Sequence, residues 1–360
     1  MCAFYDQIAD IPVEITGLDL TRHEMDTSAG STRVTTVVEL EGDGAVGRGE
    51  DVAYDTEDHD RLQAAHADGT LEWDLAGEYT VDEFSSALDE IDLFPSPPER
   101  ETSRHYRRWA VESAALDLAL KQADTDFAAA LGRAYDPVRF VVSTRLDTDG
   151  EPSADRVHGW LDVDPALEFK LDPTGDWSPA LLDELAATDR VRVLDLKSYY
   201  EGTEVDTDVD PERYRAVIEA FPEAVIEDAK VTAETRPVLA GAEDRLSWDY
   251  PITDVASVES LPIEPDWINV KPSRFGTLES LLDTIAYCLD RDISLYGGGQ
   301  YELNVGREHL HAVASTFYPD GPNDIAPSAY HAPEPHEDVP GSPLEPPASP
   351  AGLRWGHRSP

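Results

Sequence analysis

The runs VRVLD (191–195), AVIE (224–227), RLSWD (245–249), WINVK (267–271) and SLYGGGQYE (294–302) each end on a charged residue: Asp195, Glu227, Asp249, Lys271 and Glu302. These charges are separated by 32, 22, 22 and 31 residues, about the length of a strand, a helix and two loops. Parallel strands need crossover connections, most often helical, so this rhythm predicts successive βα units. Closed into a TIM-like α/β barrel, such units bring the C-terminal ends of their strands to one mouth, where barrel active sites lie. Three carboxylates and a lysine on one rim compose a site for a hard cation beside an ammonium group.

The composition bounds the rest. A chain of 360 residues has room for one barrel of roughly 200–250 residues and a smaller domain. Acidic residues outnumber basic ones 74 to 28, for a net charge of −46. That excess argues against nucleic acid or an anionic membrane as partner, because their phosphates would be repelled. With 41% hydrophobic residues the chain can still fill a core, so the acid reads as surface suited to a salt-rich cytoplasm, a halophilic signature. Cys2 and Cys288 give no disulfide framework. MCAFYDQIADIP has no basic segment followed by an apolar run, and no stretch of 18 apolar residues occurs, so the expected location is cytoplasmic.

Residues 1–136 read as an α+β capping domain. PVEITGLDL and STRVTTVVEL alternate apolar and polar residues, and GDG (42–44) turns the chain into AVGRGEDV. A polar stretch follows, then helices at 81–91 and 107–123. Asp136-Pro137 breaks the chain before VRFVVSTR (138–145), the first barrel strand, and the barrel occupies 137–318. Helices are expected at 178–188, 211–221, 277–290 and 307–316. Residues 319–360 hold 11 prolines in 42 positions and read as an extended strap or a partly disordered end, unfit for helix or inner strand.

Asp195, Glu227 and Asp249 would lie side by side on consecutive strands. Crowded carboxylates repel one another without a cation, and an oxygen-only set with no cysteine or histidine nearby favours Mg²⁺ over zinc. Lys271 ends a run too apolar for a surface strand, so it must snorkel or reach a polar cavity, where it could act as a proton acceptor. Lys170 ends ALEFK (166–170), one unit before Asp195, and would approach from the opposite side of the barrel. Two lysines flanking a metal-bound carboxylate could remove a proton from one face and return it to the other. Lys197 shares the strand parity of Asp195, and both a mouth position and a solvated loop stay open for it. Gly297–Gly299 read as close backbone packing rather than a phosphate cradle, because no P-loop or dinucleotide fingerprint surrounds them. His309 and His311 point in different directions on a helix and make no metal pair. Asp324, in PNDIAP, reads as a turn or loop residue.

The ordered set of motifs resembles the enolase superfamily, and within it the muconate lactonizing enzyme subgroup. GRGE (47–50) resembles the glycine-glutamate turn of that family's capping domain, and AVESAALDLALK (110–121) its helix before the barrel. LDLK (194–197), VIED (225–228), SWD (247–249), NVKPSRFG (269–276) and GGQYELNVGREHLHAVAS (298–315) resemble its strand ends in order. The resemblance implies Asp195, Glu227 and Asp249 as Mg²⁺ ligands, Lys271 as acid/base after the sixth strand, and Glu302 as a polar group of the seventh, a candidate catalytic residue beside the two lysines. It further implies a closing cap whose loops at 24–32 and 51–58 carry specificity, with Met25 and Tyr54 as substrate-binding candidates. Arg145, at the end of the first barrel strand, is a third, able to meet a substrate anion or to form an internal salt bridge. The family's lysine-any-lysine motif is altered: EFKLD (168–172) has one lysine. Either Lys170 is the inner, catalytic lysine and Glu168 replaces its neighbour, or Asp172 replaces the base.

The implied chemistry is abstraction of the proton α to the carboxylate of a small-molecule substrate through a metal-stabilised enediolate. Reprotonation would give a racemase, epimerase or cycloisomerase. Loss of a β group would give a lyase resembling o-succinylbenzoate synthase. A barrel that binds metal or ligand without catalysis is the third reading. The oligomeric state, a homo-oligomer included, is left open.

Overall fold

The computed structural model of the chain describes residues 4–355 apart from 27–31, 147–150, 201–206 and 333. Cys2 and most of the 24–32 loop therefore lie outside the described residues. PVEITGLDL divides at Thr16 into two strands. The first, β1 (Pro12–Ile15), pairs antiparallel with β5 (Gly77–Thr80). The second, β2 (Gly17–Asp26), joins β3 (Thr32–Gly42) and β4 (Ala45–Asp51) in an antiparallel sheet ordered β2-β3-β4. The β-branched run TRVTTVVEL suits the central, doubly flanked position of β3.

Three helices complete the cap: α1 (Thr56–Ala67), α2 (Val81–Leu88) and α3 (Ser103–Gln122). Thr80 and Glu83 start α2 with a reciprocal capping box. The contact of α3 with β4 is backbone to backbone. A Cβ on Gly49 would lie 1.9 Å from the Ala110 carbonyl oxygen, and one on Gly47 2.1 Å from that of Ala114. The GRG spacing puts both glycines on the same strand face, and only glycine admits that approach. α1 arises from the stretch read as merely polar. Its inner face carries Asp58 and His59 beside Leu62 and Ala65, so the apolar period is interrupted by buried polar groups. Asp51 and Arg107 pair at 2.7 Å under it, with the His59 ring held between Thr36 and the Ala53 carbonyl.

After the short α4 (Phe127–Ala130), seven parallel strands follow in unbroken spatial order. They are β6 (Val142–Thr144), β7 (Phe169–Leu171), β8 (Val191–Asp195), β9 (Val225–Glu227), β10 (Leu246–Trp248), β11 (Trp267–Val270) and β12 (Ser294–Gly297). The connecting helices are α5 (Asp155–Val163), α6 (Pro179–Ala187), α7 (Pro211–Ala220), α8 (Arg236–Leu239), α9 (Val255–Glu259), α10 (Pro272–Phe275), α11 (Leu278–Leu289) and α12 (Val305–Phe317). The two 22-residue spacings accommodate only the one-turn helices α8 and α9. Ser178, Asp210 and Thr277 cap α6, α7 and α11, with proline in the first turn of the first two. α5 has no strong apolar period; only Val157 and Trp160 of its residues are buried.

Two strand expectations are corrected. VRFVVSTR keeps only Val142–Thr144 in the parallel ladder, because Val138 pairs antiparallel with Leu344. SLYGGGQYE stops at Gly297, five residues short of Glu302; three consecutive glycines weaken strand pairing. A Cβ on Gly298 would come within 2.5 Å of Asn269 Oδ1 and 2.6 Å of Lys271 Cε, so these glycines make room for the neighbouring strand's side chains.

The proline-rich tail also departs from the strap reading. Its first segment enters the barrel wall: Asp324 N–H donates to the Gly297 carbonyl at 2.7 Å, and Val141 N–H to the Asn323 carbonyl at 2.8 Å. A two-residue stretch thus joins β12 to the first barrel strand and stands where an eighth strand would close the barrel. Further on, Leu344 and Trp355 are buried. No helix among the described residues is long and apolar enough to cross a membrane.

Candidate active site

β8 and β9 pair with Asp195 opposite Glu227, and Asp249 follows directly on β10. All three side chains are fully buried at the C-terminal ends of their strands. Glu227 is held by three polar side chains. Its Oε1 lies 2.5 Å from Lys170 Nζ, and its Oε2 accepts from Asn269 Nδ2 at 3.1 Å and from the Tyr296 hydroxyl. Asp195 Oδ2 faces two ammonium groups, Lys197 Nζ at 2.5 Å and Lys170 Nζ at 3.2 Å. Asp249 Oδ2 meets Lys271 Nζ at 2.7 Å and the Tyr200 hydroxyl at 2.8 Å, while Arg274 Nε lies 3.2 Å from Oδ1.

A fourth carboxylate joins them. One oxygen each from Asp195, Glu227 and Asp228 lies within 4.8 Å of the others, a spacing that could hold a metal ion. Asp228 has φ +53°, and its carboxylate accepts the backbone N–H groups of Asp249 and Tyr250 at 2.9 and 3.1 Å. The set of three that the sequence suggested and the set that the structure brings within ligand distance share Asp195 and Glu227 and differ in the third member.

The electrostatics of the cluster follow from burial. Burial pushes Glu227 well above the ordinary carboxylate range, and Asp195 and Asp249 add to this against the pull of Lys170. Asp228 is raised to about 7 by burial, then by Asp249 and Asp195. Burial pushes Asp195 the same way, yet Lys197 and Lys170 outweigh it and hold the carboxyl far below its usual range. For Asp249, Arg274 and Lys271 likewise outweigh burial. Lys170 loses solvation but gains Glu227, Asp195 and Asp324, and its ammonium is held charged well above the ordinary lysine range. Buried oxygen ligands, two of whose acids are raised by burial and then by mutual repulsion, are relieved by a cation, so the donor set fits a metal site.

The remaining sequence candidates differ in their surroundings. Lys170 is 1% exposed, whereas the Lys197 side chain is 15% exposed and its Nζ also lies 3.7 Å from Asp172 Oδ1. Arg145 Nε stands 3.6 Å from Asp172 Oδ2. Glu168, the other flank of the altered motif, bonds to Arg139 and Arg192 and takes no part in the cluster. Glu302 is paired with Arg307 at 3.0 Å and accepts the Gln300 N–H, so it is tied into the loop after β12. Tyr54 is exposed; its hydroxyl donates to Gln300 Oε1 at 2.6 Å, and the Arg33 guanidinium lies 4.7 Å from its ring centre. Arg33 also donates to the Val52, Ala53, Gln300 and Tyr301 carbonyls, joining cap to barrel. Met25 is half-buried on β2, opposite Arg33 of β3. Asn269, Tyr296, Asp228, Arg274 and Tyr200 were not singled out from the sequence. Asn269 has the inward parity of Lys271, which was the available signal.

Family comparison places the chain. Residues 6–130 match the model described as the N-terminal domain, and residues 134–332 the model described as the C-terminal domain, of a domain of unknown function (DUF8230); the chain belongs to that family. No curated protein matches the sequence. Solved structures similar in fold include an enolase superfamily member from Listeria innocua, at 18% identity and TM-score 0.63 over 89% of this chain and 84% of that one. A dipeptide epimerase from Methylococcus capsulatus complexed with Mg ion is 18% identical, with TM-score 0.62 over 84% and 88% of the two chains. A Roseovarius nubinhibens protein named for mandelate racemase/muconate lactonizing enzyme, complexed with magnesium, is 16% identical with TM-score 0.65 over 96% and 97%. The fold is that of the enolase superfamily, as the motif order implied.

Proposed function

We propose that the chain is a Mg²⁺-dependent enzyme that abstracts the proton α to a carboxylate of a small-molecule substrate. The observation that carries this is the buried Asp195, Glu227 and Asp249 set at consecutive strand ends, with Lys271 on one flank and Lys170 and Lys197 on the other. Asp195 and Glu227 would hold the ion, with Asp249 or Asp228 as third ligand. The bound ion supplies positive charge for the second negative charge that develops on the substrate carboxylate as its α-proton leaves.

The side chains do the remaining work. Lys271, in its neutral form, takes the α-proton on Nζ, and the C–H electron pair moves into the carboxylate. Asp249 and the space over Gly298 fix where that Nζ lies. Lys170, buried beside the carboxylates, would serve as a permanent positive charge. Lys197, whose side chain is the more exposed of the two, would return a proton to the opposite face, the role the sequence suggested for Lys170. Reprotonation there gives a racemase, epimerase or cycloisomerase outcome. Elimination is the second reading, favoured by Lys170, because a lyase needs one base and one permanent cation. Tyr54, Met25 and Arg145 would contact the substrate beyond its carboxylate.

Calorimetric titration with Mg²⁺ tests the metal reading. Glu227→Gln should weaken binding with the far-ultraviolet spectrum unchanged; the same affinity in wild type and in Asp195→Asn, Glu227→Gln and Asp249→Asn would remove the ion from the mechanism.

A further inference from the structure

Lys197 and Lys170 approach the same oxygen, Asp195 Oδ2, at 2.5 and 3.2 Å, and Lys170 also touches Glu227 Oε1 at 2.5 Å. Two ammonium groups on the carboxylates proposed to hold Mg²⁺ compete with any entering cation. Each is tethered to the barrel, so its local concentration is high and its competition effective. Entry of a divalent ion therefore needs a second resting place for each ammonium, since an expelled and unpaired buried charge is costly.

The structure contains both. Asp324 Oδ2 lies 3.3 Å from Lys170 Nζ, and Asp172 Oδ1 lies 3.7 Å from Lys197 Nζ. Among the described residues, Asp172 Oδ1 accepts no hydrogen bond. Asp324 is held by its backbone in the segment that closes the barrel between β12 and the first barrel strand, with its N–H on the Gly297 carbonyl. Neither residue belongs to the strand-end set proposed to bind the ion. Their side chains, 17% and 14% exposed, face the two lysines from the side of the closing segment and of the loop after β7.

We propose that Asp324 and Asp172 are positioning residues that receive Lys170 and Lys197 when a divalent cation takes Asp195 and Glu227. The two lysines neutralise the carboxylate cluster in the cation's absence and set its affinity. This rests on the metal reading above. It assigns a role to the first residues of the proline-rich tail and to Asp172, the last residue of EFKLD.

The test is a double-mutant cycle on the full chain, read as Mg²⁺ affinity by calorimetry. Asp324→Asn should weaken Mg²⁺ binding about tenfold, and in a Lys170→Met background by less than about twofold, because the ammonium it receives is gone. A purely Coulombic influence of Asp324 on the ion gives the same loss in both backgrounds and overturns the proposal. Should Lys170→Met fail to fold, the Asp172→Asn and Lys197→Met cycle applies, since Lys197 lies nearer the surface. Lys197→Met should bind Mg²⁺ more tightly than wild type, and Asp172→Asn should weaken binding only while Lys197 is present; additive effects overturn the proposal there too. Wild-type protein that binds no Mg²⁺ at millimolar concentration overturns both this inference and the metal reading, whereas binding with additive effects overturns this inference alone.

Discussion

Glu50 Oε2 accepts the backbone N–H of Gly306 at 2.8 Å, so a carboxylate from β4 of the cap closes the first turn of α12 in the barrel. Its Oε1 takes the Leu303 N–H at 2.7 Å. The first N–H groups of a helix have no partner within the helix, and a carboxylate is their best acceptor. Burial pushes the Glu50 carboxyl up, against the pull of these donors. Glu50→Ala should leave several buried N–H groups unsatisfied and cost about 3 kcal/mol in urea unfolding. A loss below about 1 kcal/mol would place the anchoring of cap to barrel elsewhere.

The strand ends were legible because two signals coincide there, an apolar run and a single terminal charge. VRVLD, AVIE, RLSWD and WINVK end within a residue or so of their structural limits. α1 was not legible, because Asp58 and His59 occupy its buried face and erase the apolar period. The closing segment at Asn323 and Asp324 is too short for any period and sits among prolines. Within the site, the terminal charges of the apolar runs pointed to Asp195, Glu227 and Asp249. It could not foresee Asp228, whose left-handed backbone turns its carboxylate onto the N–H groups of Asp249 and Tyr250. Lys197, also left-handed at φ +54°, was ambiguous for the same reason: parity stops informing where the strand stops.

The buried His309 and the half-buried His331 set a pH dependence of stability. Burial depresses His309 and His331 to about 3; the first sits near Glu308, Lys121 and Arg354, the second near Arg307 and Arg156. In the unfolded chain each titrates near 6.5, so between these limits the unfolded state binds more protons. Their contribution is complete above pH 6.5 and is lost as pH falls toward 3. Wild type should therefore lose about 1.4 kcal/mol per pH unit more than His309→Leu below pH 6. Parallel pH profiles in urea unfolding would show that His309 is protonated in the folded protein.

The acid excess predicts a salt response. With 74 acidic and 28 basic residues, surface repulsion should be relieved by screening. The melting temperature should climb as KCl rises from about 0.1 to 2 M. A flat or falling curve would separate the composition from salt adaptation.

The central claim is that Lys271, beside the Asp195, Glu227 and Asp249 cluster, removes a proton α to a carboxylate. The most direct measurement is proton–deuterium exchange at the α-carbon, followed by NMR for a library of carboxylic acids with the protein and Mg²⁺ in D₂O, since it registers the first proton transfer whatever the later outcome. Wild type should wash deuterium into at least one library member, and Lys271→Ala, with Mg²⁺ binding retained, should lose that exchange from at least one enantiomer. Exchange that persists unchanged in Lys271→Ala, on both faces and with the same dependence on Mg²⁺, would contradict the account.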